Sequence, residues 1–230
     1  PGLLLFLDAI GLRPQIESMA QRIADWGYVV LAPNLFHRLV SAADLAPTAD
    51  LRAPGEREAF LKRAMPRVRT LTLERLRTDV DASIAALHAQ PGVADGPIGV
   101  VGYCMGARVA VRAACWHPDA VAACAGFHGG GLATDADDSP HLGLASARAR
   151  FAFGHADKDK SMGPSAVTRL GDALTAAGLD ATNEVYAGAP HGYSMADTSS
   201  YDEGAAERSF AELRTLLDET IGVRSALRQP

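Results

Sequence analysis

Cys104 lies in the stretch Gly102-Tyr-Cys-Met-Gly106, with a glycine two residues to either side. A thiol placed this way can serve as a nucleophile. Where a strand turns sharply into a helix, the residue at the turn takes a strained backbone, often of positive φ, and its neighbours two positions away must be small to avoid collision. Residues 98–101 before the motif form an apolar strand run, and residues 105–116 after it form a small-residue helix. Such a helix points its N-terminus at the sulfur and favours the thiolate. The alternative is a cysteine in a glycine-rich turn that only packs.

A nucleophile of this kind needs a histidine and an acid, in the chain order nucleophile, acid, histidine. Two stretches supply that order. Gly154-His-Ala-Asp157 follows one apolar run, and Gly188-Ala-Pro-His191-Gly-Tyr follows the next. Asp157 is therefore expected to orient His191, and His191 to take the proton from Cys104, with Asp159 the rival for the acid role. His37, His88, His117 and His141 do not fit the order, and His155 is too near Asp157. The developing oxyanion needs two backbone N–H groups, expected from Met105 and from Ala9 in the loop after the first strand. His128-Gly-Gly-Gly131 resembles a lipase oxyanion stretch but lies downstream of the nucleophile, so it reads as a pocket-edge loop. Phe127 and His128 are its expected substrate neighbours, and Tyr103 and Tyr193 join them as auxiliary positions. Asp8 ends the first strand, where a carboxylate could act as base or brake on the thiol, or simply cap a turn.

These residues need a sheet to bring them together. The run at 3–7 reads as a strand buried on both faces, and 28–32 as a second, stopped by Pro33. Further strands are expected at 98–101, 120–125, 150–153 and 181–186. Helical spacing marks 16–26, 57–64, 71–89, 105–116, 167–177 and 203–219. Residues 33–54 and 127–147 read as loops. Alternation of strand and helix along the chain implies a largely parallel sheet with helices on both faces, an α/β fold in a single domain over 1–230.

Composition narrows the function classes. The 230 residues are 48% hydrophobic and 21% charged, with net charge −5, which argues against a nucleic-acid partner. Arg67, Arg69, Arg75 and Arg77 are interleaved with apolar residues and acids and read as a solvated helix face. No apolar run approaches the ~20 residues of a membrane span, and no secretory signal is visible. Three cysteines, Cys104, Cys115 and Cys124, make no disulfide framework and no Cys-x-x-Cys pair. A reducing, cytoplasmic location is the simple expectation. The chain starts Pro-Gly-Leu without Met, so its natural start is expected upstream. The acidic clusters His155-Ala-Asp157-Lys-Asp159 and Asp135-Ala-Asp137-Asp138 lack the spacing of a metal site, and no metal is expected.

Taken together, Asp8-Ala-Ile-Gly, Gly-Tyr-Val-Val-Leu-Ala-Pro-Asn-Leu-Phe, Gly102-Tyr-Cys104-Met-Gly106 and Pro-His191-Gly-Tyr resemble the dienelactone hydrolase family over nearly the whole chain. The cysteine elbow is the most specific part, because most α/β-hydrolases carry Ser there. The resemblance implies an α/β-hydrolase-type sheet of eight strands, so two N-terminal strands are expected before residue 1. It implies hydrolysis of an enol-lactone or related ester through an acyl-enzyme, a triad of Cys104, Asp157 and His191, and no cofactor. The implied partner is a small-molecule ester or lactone, with no nucleic acid and no membrane, in a monomer or homodimer. Two positions depart from the family pattern: Asp8 stands where the type enzyme has Glu, and Met195 where it has an Arg for a substrate carboxylate. Arg38, Arg57, Lys62 and Arg63 remain as cations for such a site. The competing readings are a non-catalytic small-molecule binder on the same scaffold and a thiol-redox protein.

Overall fold

The computed structural model describes residues 1–222. Six strands form one sheet: β1 (Gly2–Phe6), β2 (Val29–Leu31), β3 (Ile98–Tyr103), β4 (Val121–Phe127), β5 (Arg150–Ala156) and β6 (Ala181–Tyr186). Their spatial order is β2-β1-β3-β4-β5-β6, and every neighbouring pair is parallel. Parallel strands need crossovers, and the helices supply them: α1 (Pro14–Ala24), α2 (Ala42–Leu45), α3 (Glu56–Val68), α4 (Leu73–His88), α5 (Met105–Trp116), α6 (Pro164–Ala176) and α7 (Glu203–Thr220). Among the described residues no helix is long and apolar enough to cross a membrane.

The apolar runs explain the layering. Leu3, Leu4, Leu5 and Phe6 of β1 are wholly buried, as a strand covered on both faces requires. A Cβ added at Gly99 of β3 would meet Leu217 of α7, whereas one at Gly126 of β4 would meet Ala107 of α5. The two helices therefore cover opposite faces. α1 joins α7 through the Arg22–Glu207 ion pair and, just past its end, the edge-on contact of Trp26 with Phe210, and α4 packs beside α5.

The topology also fixes where a site can form. From β1 the chain moves outward to β2, then returns to lay β3 on the other side of β1. The loops after β1 and β3 thus leave the sheet in opposite directions and open a crevice between them. Phe6 pairs in register with Gly102, so residues 8–10 and Cys104 emerge side by side at that switch point.

Several expected boundaries shift for identifiable reasons. β3, β4 and β5 run two or three residues further than their apolar cores, out to the functional loops. The helix expected at 57–64 continues through Pro66 to Val68. Proline deprives the Lys62 carbonyl of its donor, but Lys62 and Pro66 are on the exposed side, while Ala64 and Val68 pack inward. The loop expected at 33–54 contains the one-turn α2, capped by Ser41, whose Oγ accepts the Asp44 N–H at 3.3 Å. A 3-10 turn at Pro140–Ser146 interrupts the other long loop. Both are too short to show a period.

Two glycines let α5 sit against the sheet. A Cβ at Gly102 would fall 2.1 Å from the Gly106 carbonyl oxygen, and one at Gly106 would fall 2.2 Å from that of Phe6. Both obstacles are backbone and cannot swing aside. Gly106→Ala is therefore expected to cost about 3 kcal/mol or more, or to prevent folding, when urea unfolding is compared with wild type. A cost below about 1 kcal/mol would show that the helix and β1 can separate without penalty.

Candidate active site

Cys104 occupies the turn between β3 and α5 with φ 55° and ψ −118°, one of three non-glycine residues of positive φ among those described. Its N–H donates to the Phe127 carbonyl at 3.1 Å, which ties the strained residue to the end of β4. The sulfur lies 3.1 Å from His191 Nε2, and His191 Nδ1 lies 2.5 Å from Asp159 Oδ2. The structure thus brings the cysteine and the histidine together, at the N-terminus of α5.

The carboxylate on that histidine belongs to Asp159, which corrects the expectation for Asp157. Asp157 follows β5, where its N–H donates to the Ala189 carbonyl at 2.8 Å and its Oδ2 accepts the Gly188 N–H at 3.0 Å. It thereby fastens the start of the histidine loop. Lys158 then adopts φ 53° and reverses the chain, so that Asp159 faces the ring. The other Asp159 oxygen accepts both the N–H and the hydroxyl of Ser161, at 2.8 and 2.7 Å. His155 pairs with Asn183 instead, so His155, Asp157 and Asp159 point three ways.

The electrostatics follow from these contacts. Burial alone would raise the Asp159 carboxyl, but hydrogen bonds from His191 and Ser161 outweigh it and hold it down at about 2. Burial alone would lower His191, but the hydrogen bond to Asp159 and the contact with Cys104 push it up to about 10. A cationic imidazole beside sulfur favours the thiolate. His128 is driven well below its usual value by burial and by the neighbouring His191, so it stands neutral at 5.5 Å from the His191 ring.

The loop after β1 is held from below and above. Asp8 is buried, and its Oδ1 accepts the N–H groups of Ile10 and Gly11 while both oxygens accept Arg13. Both of its oxygens are thus engaged by its own turn and by Arg13. Arg13 also reaches Asp197 and the sulfur of Met195, linking this loop to the one after His191. From α3, Arg67 donates to the carbonyls of Ala9 and Ile10, and Arg57 donates to that of His191 at 3.0 Å. Arg67 is thus turned inward and leaves the solvated face expected of it. Among the described residues no protein acceptor takes the N–H of Ala9 or Met105, and both residues line the cavity beside Cys104.

An apolar cavity of about 170 Å³ opens at Cys104 and His191, walled by Ile10, Leu61, Met65 and Met195, with His128 at its edge. Tyr103, Phe127 and Tyr193 do not line it. They are wholly buried: Tyr103 and Tyr193 pack against His128 and Phe127 packs against Tyr103, and the Tyr193 hydroxyl donates to the Gly154 carbonyl. Their expected place beside a substrate is therefore corrected: they support the histidine from beneath. Arg38 is taken by Asp79, and Lys62 and Arg63 are exposed on α3, which leaves Arg57 as the one of those four cations at this cavity.

The dienelactone hydrolase family model matches residues 1–221. The chain belongs to the dienelactone hydrolase family. A Synechocystis relative provisionally described as a carboxymethylenebutenolidase is 23% identical over 237 residues, spanning 96% of this chain and 87% of its own. A crystal structure from Klebsiella pneumoniae, provisionally described as a dienelactone hydrolase, superposes with a TM-score of 0.74 at 20% identity, covering 95% of this chain and 87% of that one. A dienelactone hydrolase-like promiscuous phosphotriesterase from metagenomic libraries gives a TM-score of 0.71 at 21% identity, covering 95% and 86%. At such identities the solved structures share the family's fold with this chain.

Sequence reading missed Arg13, Arg57 and Arg67 as loop holders, and Ser161 as the support of the acid. Only Ser161 left a local signal, because Asp-x-Ser is a side-chain turn pattern.

Two outcomes follow. Arg13→Met leaves Asp8 buried without its partner, where Arg13 and Asp8 side chains are only 1% and 6% exposed. The loss is expected at about 3–5 kcal/mol in urea unfolding, and a neutral result would show that water reaches Asp8. The Asp159–His191 pair should also make stability depend on pH. The raised histidine stabilises fully below about 6.5 and loses its effect as pH rises through about 10, and the lowered carboxyl stabilises fully above about 3.9 and loses its effect as pH falls through about 2. The stability gap between wild type and Asp159→Asn is therefore expected to be widest between about pH 4 and 6.5. A gap that does not vary with pH would break the assigned pairing.

Proposed function

We propose that this chain hydrolyses a carboxylic ester or enol-lactone through a covalent thioester on Cys104, with His191 as proton carrier and Asp159 as the acid that orients it. The observation that carries this reading is the unbroken contact from Asp159 to His191 to Cys104, at 2.5 and 3.1 Å, on a strained turn at the head of α5. Membership of the dienelactone hydrolase family and relatives described as carboxymethylenebutenolidases support the substrate class.

The thiolate of Cys104 attacks the carbonyl carbon, and the carbon–oxygen π pair moves onto oxygen. The N–H groups of Ala9 and Met105 stabilise that charge. Collapse expels the alkoxide, which takes a proton from His191, and leaves the acyl group on sulfur. Water then attacks the thioester while His191 accepts its proton, and the sulfur leaves as the acid departs. Asp159 remains ionised throughout and fixes the ring so that Nε2 faces the sulfur. No redox partner is required. The free thiols of Cys104, Cys115 and Cys124 support a cytoplasmic location.

Cys104→Ala should abolish turnover of aryl acetates, and wild type quenched in mid-reaction should carry one acyl mass on Cys104. Asp159→Asn should lower kcat/KM by about 10²-fold or more, and Asp157→Asn by no more than a few-fold. Wild-type rates in Cys104→Ala would overturn the nucleophile. The reverse ranking of the two aspartates would return the acid role to Asp157.

A further inference from the structure

The apolar cavity shares Cys104 with another opening. That opening, of about 310 Å³, is lined by Cys104, His191, Gly130 and Ser161, and shares Met65, Val68, Met105 and Arg108 with a third recess of about 320 Å³. The shared wall makes the two a continuous groove leading away from the sulfur. Its character changes along the way: the far recess holds Arg69, Arg108 and Arg112, with Asp138 as its one acid. In a chain of net charge −5, this local cationic surface runs against the overall balance.

Arg108 carries the argument. It lies four residues after Cys104 on α5, on the same face and about 6 Å further along the helix axis. Its side chain passes within 4 Å of where a Cβ would stand at Gly131, and it lines both the opening at Cys104 and the far recess. It is half-buried, and among the described residues it makes no hydrogen bond, ion pair or ring contact. The arginines around the apolar cavity differ on this point: Arg13, Arg57 and Arg67 are each engaged with carboxylates or carbonyls of the protein. Arg112 gives one hydrogen bond to the Asp138 carbonyl at 2.6 Å, with the Asp138 carboxylate at 3.7 Å. Burial and the neighbouring Arg108 push the Arg112 guanidinium down, as expected of two cations whose charge is incompletely balanced. A half-buried guanidinium without a partner suits an anionic ligand group.

We propose that Arg108, backed by Arg112, forms an anion subsite, so that the ester cleaved at Cys104 carries a carboxylate or phosphate on one side of the scissile bond and a small apolar group on the other. The inference rests on the ester-hydrolase reading above and specifies its substrate.

Matched ester pairs test it: 4-acetoxybenzoate against its methyl ester, and the 4-nitrophenyl monoester of glutarate against its methyl ester, with 4-acetoxyphenyl phosphate as the phosphate arm. The ratio of kcat/KM for anionic over neutral member is expected to be about tenfold or more in at least one pair and to shrink with added salt. Arg108→Met should cut that ratio about tenfold, and Arg108→Lys should keep part of it. The ratio is internal to each preparation, so a partly folded variant does not distort it. A wild-type ratio near or below one in every pair, or a ratio unmoved by Arg108→Met, overturns the subsite. If neither member of any pair is turned over, the hydrolase reading fails instead. Calorimetric titration of Cys104→Ala with the glutarate monoester then still decides the subsite: binding about tenfold weaker in Cys104→Ala/Arg108→Met supports it, and equal or absent binding overturns it.

Discussion

The backbone at Cys104 is held where an L-residue rarely sits, and the rest of the site is arranged around that constraint. A φ of 55° survives because the Cys104 N–H is anchored to Phe127 and because Gly102 and Gly106 let strand, turn and helix pass within contact of one another. Relaxing the turn would withdraw the sulfur from His191 and swing the first N–H of α5 away from the crevice. The strain is sustained by the sheet, whose β1 and β3 are buried across their full width. Stability in the core is thus what maintains the strained geometry at its edge.

The loops that meet the sulfur come from distant parts of the chain, and arginines tie them to one another beside their buried apolar residues. Arg13 is shared by Asp8 and Asp197, and α3 reaches across the crevice to hold the Ala9–Ile10 carbonyls with one arginine and the His191 carbonyl with another. The carbonyl acceptors of Arg67 hold its guanidinium without neutralising it, so positive charge stays beside the Ala9–Ile10 turn, whereas Arg57 also meets the Glu58 carboxylate at 3.4 Å. Because α3 also supplies Leu61 and Met65 to the apolar cavity, one helix sets both the loop geometry and the size of the group that fits.

How much of this was legible in the sequence differs residue by residue. Cys104 and His191 could be read because glycine spacing and strand ends are local signals, and the alternation of elements gave a largely parallel sheet. The acid could not be read from position, since Asp157 and Asp159 are two residues apart after the same strand. Which one faces the ring depends on the left-handed backbone of Lys158, for which a lysine gives no warning. The arginines were equally silent. Arg67 sits among three others of similar pattern, and only the tertiary path of β1 brings carbonyls within its reach. Tyr103 and Tyr193 misled for the opposite reason: adjacency in sequence to a reactive residue points, on a strand or a tight turn, toward the core as readily as toward a substrate.

Four carboxylates gather near this site, and their division of labour shows how one of them becomes available for chemistry. Asp8 is occupied by Arg13 and by two backbone N–H groups of its own turn, Asp197 by Arg13, and Asp157 by the Gly188 N–H. Each of these stabilises a loop and has little freedom to follow a moving proton. Asp159 differs in that a single oxygen is committed to Ser161 and the other faces an imidazole. Its partner is a group that can gain or lose charge, whereas theirs are permanent dipoles or a permanent cation. A carboxylate bound to a fixed cation would have little reason to strengthen its hold as the ring becomes charged. One bound to His191 does so at the moment a proton arrives, and that difference in partner separates the three acids that hold loops from the one that faces the imidazole.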